Sequence, residues 1–321
     1  MKQYEILSVE KLKAIHEATM ELLQKTGVQV ADKSAREIFR KNGCTVNDKT
    51  NMVQIPRDLV EKAIKTAPSA FKLHGREKDK AVTFEYDADS RFTNFGIGTK
   101  MADYNSNGTY NVRNSTTDDI ATITKIVDYA QNFSVNFHSL SATDLAGSRA
   151  EHDVHEFQIF LENTTKHTVL ADTVPRNIDT YFEMEKAIYG GDEEESRNKH
   201  LITLGGAPTS PLEMGVDQCQ ALIKSAEFGY PFMDMSMAMS GGTSSIHMAG
   251  TLVTHNAEVL SALTLLQIMN PGNPVFYASS TTIFDVKRGT APVGSPELGM
   301  ISAAVSDLGR YYRIPCLVAG I

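Results

Sequence analysis

The chain has 321 residues, of which 41% are hydrophobic and 22% charged, and it carries a formal net charge of −8 at neutral pH. This balance fits one large globular domain or two small ones and argues against nucleic acid as a partner, because polyanion binders present clustered basic residues. No apolar run approaches the roughly 18 residues of a membrane span, and the opening MKQYEILSVEKLKAIHEATMELLQ has no cleavable leader, so a cytoplasmic protein without a membrane partner is expected.

The first 90 residues read as a mainly helical cap region. A helix over 8–26 is capped by Ser8, carries Leu12, Ile15, His16, Met20, Leu22 and Leu23 as an apolar stripe, and ends at Gly27. A second helix over 33–41 and two short strands, CTVND (44–48) and MVQIP (52–56), lead to a third helix, RDLVEKAIKTA, which stops before Pro68.

From Phe92 the texture changes to alternating strands and helices. The expected strands are FTNFGIG (92–98), VNFHSLSA (135–142), HTVLADT (167–173), HLITLGG (200–206), YPFMDMSMAM (230–239), NPVFYASSTTI (273–283) and IPCLVAGI (314–321). Helices are expected near 116–132, 151–164, 176–189, 211–228, 245–269 and 296–312. Connections long enough to carry a helix imply right-handed crossovers and a parallel sheet. GIGTK (96–100) matches neither a dinucleotide fingerprint nor a phosphate loop, which favours a barrel over a doubly wound sheet. The expected class is therefore α/β, an incomplete (β/α)8 TIM barrel over 91–321 with about seven strands and six helices. A sheet seldom closes on a long apolar edge, so the fold is expected to continue beyond Ile321.

In such barrels chemistry sits at the carboxyl ends of the strands. The fifth strand brings Asp234 and Ser236 there, followed by SGGTSS (240–245). The sixth brings Tyr277 and SSTT (279–282), leading to Asp285 and Arg288, and Glu297 lies further along the same 282–300 segment. A loop of that length with such varied chemistry points to function. Asp234, set between Met233 and Met235, is costly unless paired or hydrogen-bonded. The candidates for substrate or partner contact are thus Asp234, Tyr277, Asp285, Arg288 and Glu297, without assigned roles.

Other features have plainer readings. Gly241, Gly242, Gly289 and Gly294 permit close approach of a ligand but lack the lysine of a phosphate loop. In HDVHE (152–156), His152 and His155 share a helix face beside Glu156, yet the segment is an outer helix, and no metal site is expected there. His255 and Glu258, three apart on the helix after the fifth strand, are weaker site candidates. Met233, Met235, Met237 and Met239 alternate along one strand and read as core filling. Cys44, Cys219 and Cys316 form no CxxC pair and read as reduced thiols.

Several segments carry a family resemblance: HEATMELLQKTGV (16–28), FKLHGR (71–76), FMDMSMAMSGGTS (232–244), the long run THNAEVLSALTLLQIMNPGNPVFYASSTTIFDVKRGTAPVGSPELGMISAAV (254–305), and YYRIPCLVAG (311–320). They resemble trimethylamine:corrinoid methyltransferase across essentially the whole chain. The resemblance implies a TIM barrel and transfer of a methyl group from trimethylamine to the cobalt of a cognate corrinoid protein, in methylamine-dependent methanogenesis or related methylotrophy. It also implies that the chain itself binds no cofactor, that the corrinoid belongs to the partner, and that the full-length form is a homo-oligomer. Members of the family are longer and carry pyrrolysine, encoded by an amber codon, at the end of the seventh strand. The position after Ile321 is where that residue is expected, and a form ending at Ile321 is expected to be truncated, inactive and prone to aggregate. The alternatives are a demethylase of a quaternary amine such as glycine betaine, a zinc-dependent methyltransferase, and a non-catalytic module that occupies the corrinoid protein.

Overall fold

The computed structural model describes residues 5–319. Helix α1 (Val9–Lys25) begins where Ser8 Oγ accepts the Lys11 amide at 3.4 Å. It ends where Gly27 adopts φ +80°, and a Cβ there would stand 2.2 Å from the Val53 carbonyl oxygen, so only glycine fits the turn. β1 (Val28–Val30), α2 (Lys33–Lys41), β2 (Thr45–Asn47), β3 (Met52–Gln54) and α3 (Arg57–Thr66) follow, with β3 antiparallel to both β1 and β2. A hairpin of β4 (Ala70–Leu73) and β5 (Val82–Glu85) comes next. The N-terminal region is thus less purely helical than its periodicity suggested, because Val28–Val30 and the 70–85 hairpin are too short to show a pattern against their polar flanks.

The expected strand over 92–98 is not a regular strand. It touches the following strand region through isolated parallel bridges, Phe92 to Phe133 and Gly98 to Leu140. Between them the Asn94 side chain takes the place of a backbone rung: its Oδ1 accepts the Phe137 amide at 2.8 Å and its Nδ2 donates to the Phe137 carbonyl at 2.8 Å. β6 (Lys100–Tyr104) and β7 (Tyr110–Asn114) then form an antiparallel hairpin whose Tyr104, Tyr110 and Val112 are exposed. The strand–helix alternation continues as α4 (Thr117–Tyr129), β8 (Asn136–Phe137), α5 (Arg149–Asn163), β9 (Thr168–Val169), α6 (Ile178–Ile188), α7 (Glu193–Asn198) and β10 (Ile202–Gly206). β9 is parallel to both β8 and β10.

β11 (Glu213–Met214) returns to lie parallel to β1 and completes a four-stranded sheet. Then come α8 (Val216–Phe228), β12 (Phe232–Ser236), β13 (Met239–Ser240), α9 (Met248–Met269), β14 (Val275–Ser279), β15 (Thr282–Ile283), α10 (Pro296–Tyr312) and β16 (Cys316–Val318). β14 lies parallel to β12 over five residue pairs and parallel to β16 over three. The expected last strand therefore starts two residues later than read, and its final two residues, with the position proposed for pyrrolysine, lie outside the described residues.

The parallel strands linked by helices are those of a partial TIM barrel, with the N-terminal sheet and helices added. Compactness divides the chain into two units. One runs up to Phe71, takes in Phe84–Asp89 and resumes at Gly205; the other comprises Lys72–Thr83 and Ser90–Leu204. In the first unit, α9 is the centre of the core. Its apolar side chains cover its whole circumference, so that it is buried all round and packs against α1, α3, α8 and β12. The far face of β14 is closed by an aromatic cluster, in which Phe276 meets Phe71 and Phe84 edge-on at centroid distances of 4.9 and 5.2 Å.

Candidate active site at the carboxyl ends of β12 and β14

The register of β12 and β14 sorts their side chains into two faces. Asp234 pairs with Tyr277 and Ser236 with Ser279, so these four share a side, while Met233, Met235, Phe276 and Ala278 share the other. The polar set faces the helices. Gln218 Nε2 on α8 donates to Asp234 Oδ1 at 2.5 Å, and the Tyr277 hydroxyl donates to Asn256 Oδ1 on α9 at 2.7 Å. Asn256 Nδ2 in turn donates to the hydroxyl of Tyr312 at 2.8 Å and to Thr19 Oγ1 at 2.9 Å. Asn256 is thus the hub of an interior network that holds Tyr277, and burial raises the Tyr277 pKa well above the ordinary tyrosine value.

Glu258, on the same helix, secures the end of β12. It accepts from Ser236 Oγ at 2.6 Å, Ser210 Oγ at 2.9 Å and the Leu212 amide at 2.9 Å, which fixes the turn around Leu212, itself at φ +63°. Burial raises its pKa against the lowering effect of those donors. His255 lies edge-on to Tyr277 at 5.3 Å, with Nδ1 3.3 Å from Thr281 Oγ1, and burial drops its pKa to about 3, so the ring is neutral.

Beyond the strands, two loops form a rim. β13 and β15 run parallel, pairing Met239 with Thr282 and Ser240 with Ile283. Gly242 abuts Phe284, where a Cβ would come within 2.9 Å of the Phe284 Cβ, so glycine allows the loops to close on each other. Ser244 Oγ donates to Thr251 Oγ1 at 2.8 Å, anchoring the first loop to the start of α9. In the second loop Asp285 builds its own turn: Oδ1 accepts the amides of Lys287 and Arg288 at 3.0 and 3.1 Å, and the Gly289 amide donates to its carbonyl at 2.7 Å with Gly289 at φ +64°. Arg288 Nη1 stands 3.7 Å from Asp285 Oδ2 with its side chain 80% exposed. Glu297 occupies the first turn of α10, behind the Ser295 cap and Pro296, where a carboxylate suits the helix dipole.

Of the five candidates, the structure brings Asp285 and Arg288 into one turn of the rim, places Glu297 on the helix that follows, and turns Asp234 and Tyr277 toward the helix layer. Sequence alternation alone does not tell which face of a doubly buried strand meets the helices. What the sequence reading passed over is the apolar character of the rim, where Met237, Ile246, Val286 and Val293 are each at least half exposed. Of the four alternating methionines, Met233 and Met235 are core residues, whereas Met237 lies past the end of β12 and is open to solvent.

In the other unit, the HDVHE string serves packing. Glu156 accepts the Ala142 amide at 2.7 Å and faces His138 Nε2 at 3.0 Å, and Asp153 accepts from the hydroxyl of Tyr181 and from Asn177 Nδ2. Among the described residues no helix is long and apolar enough to cross a membrane.

Comparison with known proteins gives this geometry its context. The trimethylamine methyltransferase family model matches residues 1–321. The chain is 51% identical over 315 residues to a trimethylamine methyltransferase of Methanosarcina barkeri, covering 98% of this chain and 63% of the relative. It is 41% identical over 313 residues to the trimethylamine methyltransferase of Desulfitobacterium hafniense, covering 98% and 62%. A glycine betaine methyltransferase of the same species is 28% identical over 320 residues, covering 100% and 65%. The chain therefore spans under two thirds of the length of these relatives. Among solved structures, the monomethylamine methyltransferase of Methanosarcina barkeri superposes with a TM-score of 0.57 at 12% identity, covering 98% of this chain and 68% of that one, which is a likeness of fold. With the family model matched from end to end, the chain belongs to the trimethylamine methyltransferase family.

Proposed function

We propose that this chain takes part in moving a methyl group from trimethylamine to the cobalt of a cognate corrinoid protein, and that the rim at the carboxyl ends of β12 and β14 is the face the partner meets. The observation that carries the reading is the 51% identity to a trimethylamine methyltransferase, set against 28% to the glycine betaine enzyme. A docked corrinoid supplies the nucleophilic cobalt that accepts the methyl group, and this chain holds no cofactor of its own.

The residues of the chain supply the surface. Exposed Ile246, Val286 and Val293 offer apolar area of the kind that marks protein contact, and the Asp285–Arg288 turn adds one charge of each sign to orient it. The Gly242–Phe284 contact makes the two loops one surface. We place the enzyme in the cytoplasm, in keeping with the three free thiols Cys44, Cys219 and Cys316, of which burial pushes each pKa up to about 12.

The test is a methyl-transfer assay with enzyme purified from its native host and reduced corrinoid protein, following the cobalt absorption. Methylation driven by trimethylamine and absent with glycine betaine is the expected result. The reverse preference would replace this reading with the quaternary-amine one.

A further inference from the structure

The helix-facing side of β12 holds a carboxyl group whose hydrogen bonding does not close if it is ionised. Asp234 is 1% exposed, and its Oδ1 accepts from Gln218 Nε2 at 2.5 Å. Its Oδ2 has no hydrogen-bond partner among the described residues, and neither has Gln218 Oε1, the other arm of the same amide. With an ionised carboxylate both orphans are acceptors, and nothing joins them. A single proton on Oδ2 turns one of the two orphan acceptors into a donor, on a carboxyl already joined at 2.5 Å to the amide that carries the other.

The surroundings favour that proton. α9 contributes Glu258, whose negative charge opposes a second one, and the neutral His255 against Tyr277. α8 contributes Gln218 and Cys219, β14 contributes the Tyr277 hydroxyl, and Asp32 and Arg36 reach this neighbourhood only at Cys219. No lysine or arginine acts on the Asp234 carboxyl among the described residues, and burial in the helix–sheet layer is the dominant influence on it.

We propose that Asp234 is a neutral carboxylic acid in the folded protein, with Oδ2–H donating to Gln218 Oε1 while Gln218 Nε2 donates back to Oδ1, a closed acid–amide pair that pins α8 to β12. The pair is a pH-sensitive device. Its proton is held more tightly in the folded than in the unfolded chain, so its contribution to stability is full below the ordinary carboxylate pKa of about 3.9 and is lost as pH rises through the raised folded value. Ionisation sets a charge beside Glu258 and releases Gln218, loosening α8 beneath the rim.

The test combines infrared spectroscopy with pH-dependent unfolding of the whole chain. At neutral pH the wild type should show the carbonyl stretch of a protonated carboxylic acid, and the difference spectrum against Asp234→Asn should remove it, leaving any bands of Glu258 and Asp153. Because an asparagine amide donates to Gln218 Oε1 as the acid does, Asp234→Asn should unfold at an unchanged or higher midpoint at pH 7 and lose less stability on the alkaline side. Gln218→Leu should keep the acid band and move it to higher frequency. A difference spectrum without a protonated-acid band, or an Asp234→Asn protein that unfolds well below the wild type or does not fold at pH 7, would overturn the proposal.

Discussion

The two compact units build the same alternation of parallel strands and helices by different means. In the first, β12 and β14 share five residue pairs, and the fully buried α9 covers them. In the second, β8 and β9 pair over two residues only, and buried or half-buried polar side chains secure the strand ends. Asn94 stands in for a rung beside Phe137; Asp128 accepts the Thr165 amide at 2.7 Å and the Thr164 hydroxyl at 2.8 Å; Lys166 donates to the last carbonyls of α4 at 2.6 and 2.9 Å. Glu185 accepts the Leu201 amide at 2.7 Å and faces His200 Nδ1 at 3.0 Å. Where the ladder is long, many contacts share the work; where it is short, single side chains carry it, and each is a point of failure.

That contrast is broken most severely at Glu185. Replacing it with alanine leaves the buried Leu201 amide and His200 without this acceptor, and Glu185→Ala should cost roughly 3–5 kcal/mol in urea unfolding. Asn94→Ala should cost about 1–3 kcal/mol by the same measurement, because the Phe137 amide loses the acceptor that replaces a backbone rung. The corresponding change in the first unit, Ser236→Ala, removes one of three donors to Glu258 and should cost only about 1 kcal/mol. A larger loss at Ser236 than at Asn94 would contradict the contrast.

The second unit also carries its own pH dependence. Asp153 is pushed up to about 6, chiefly by burial and against the donation from Asn177. Its folded value lies above the ordinary value of about 3.9, so its stabilising contribution is complete below that value and is lost as pH rises through about 6. Asp153→Asn should flatten stability across that interval, measured by thermal unfolding at stepped pH. At the rim, Arg288→Ala should change stability by no more than about 0.5 kcal/mol, its side chain being exposed, while weakening the proposed association with a corrinoid protein.

Much of this was legible beforehand. The α9 helix, expected over 245–269, forms from Met248 to Met269, since a long and mainly apolar run without proline, whose one glycine, Gly250, falls in the first turn, leaves little choice. The cost of burying Asp234 was readable from its apolar neighbours, and it meets Gln218 as that cost requires. Less legible was the 92–98 segment, where β-branched and aromatic residues suggested a strand but the Asn94 side chain interrupts the ladder. The hairpins over 70–85 and 100–114 are less legible because their strands are only four or five residues long, too short for alternation to stand out. The direction of Tyr277 depends on which helices cover which face, a tertiary fact that no local pattern encodes.

The proposed docking at the rim is tested most directly by hydrogen–deuterium exchange of the protein with and without a reduced corrinoid protein. Slowed exchange concentrated in residues 237–248 and 284–295 is the predicted result. Protection confined to other surfaces, such as the exposed β6–β7 hairpin, with the rim loops unchanged, would contradict it.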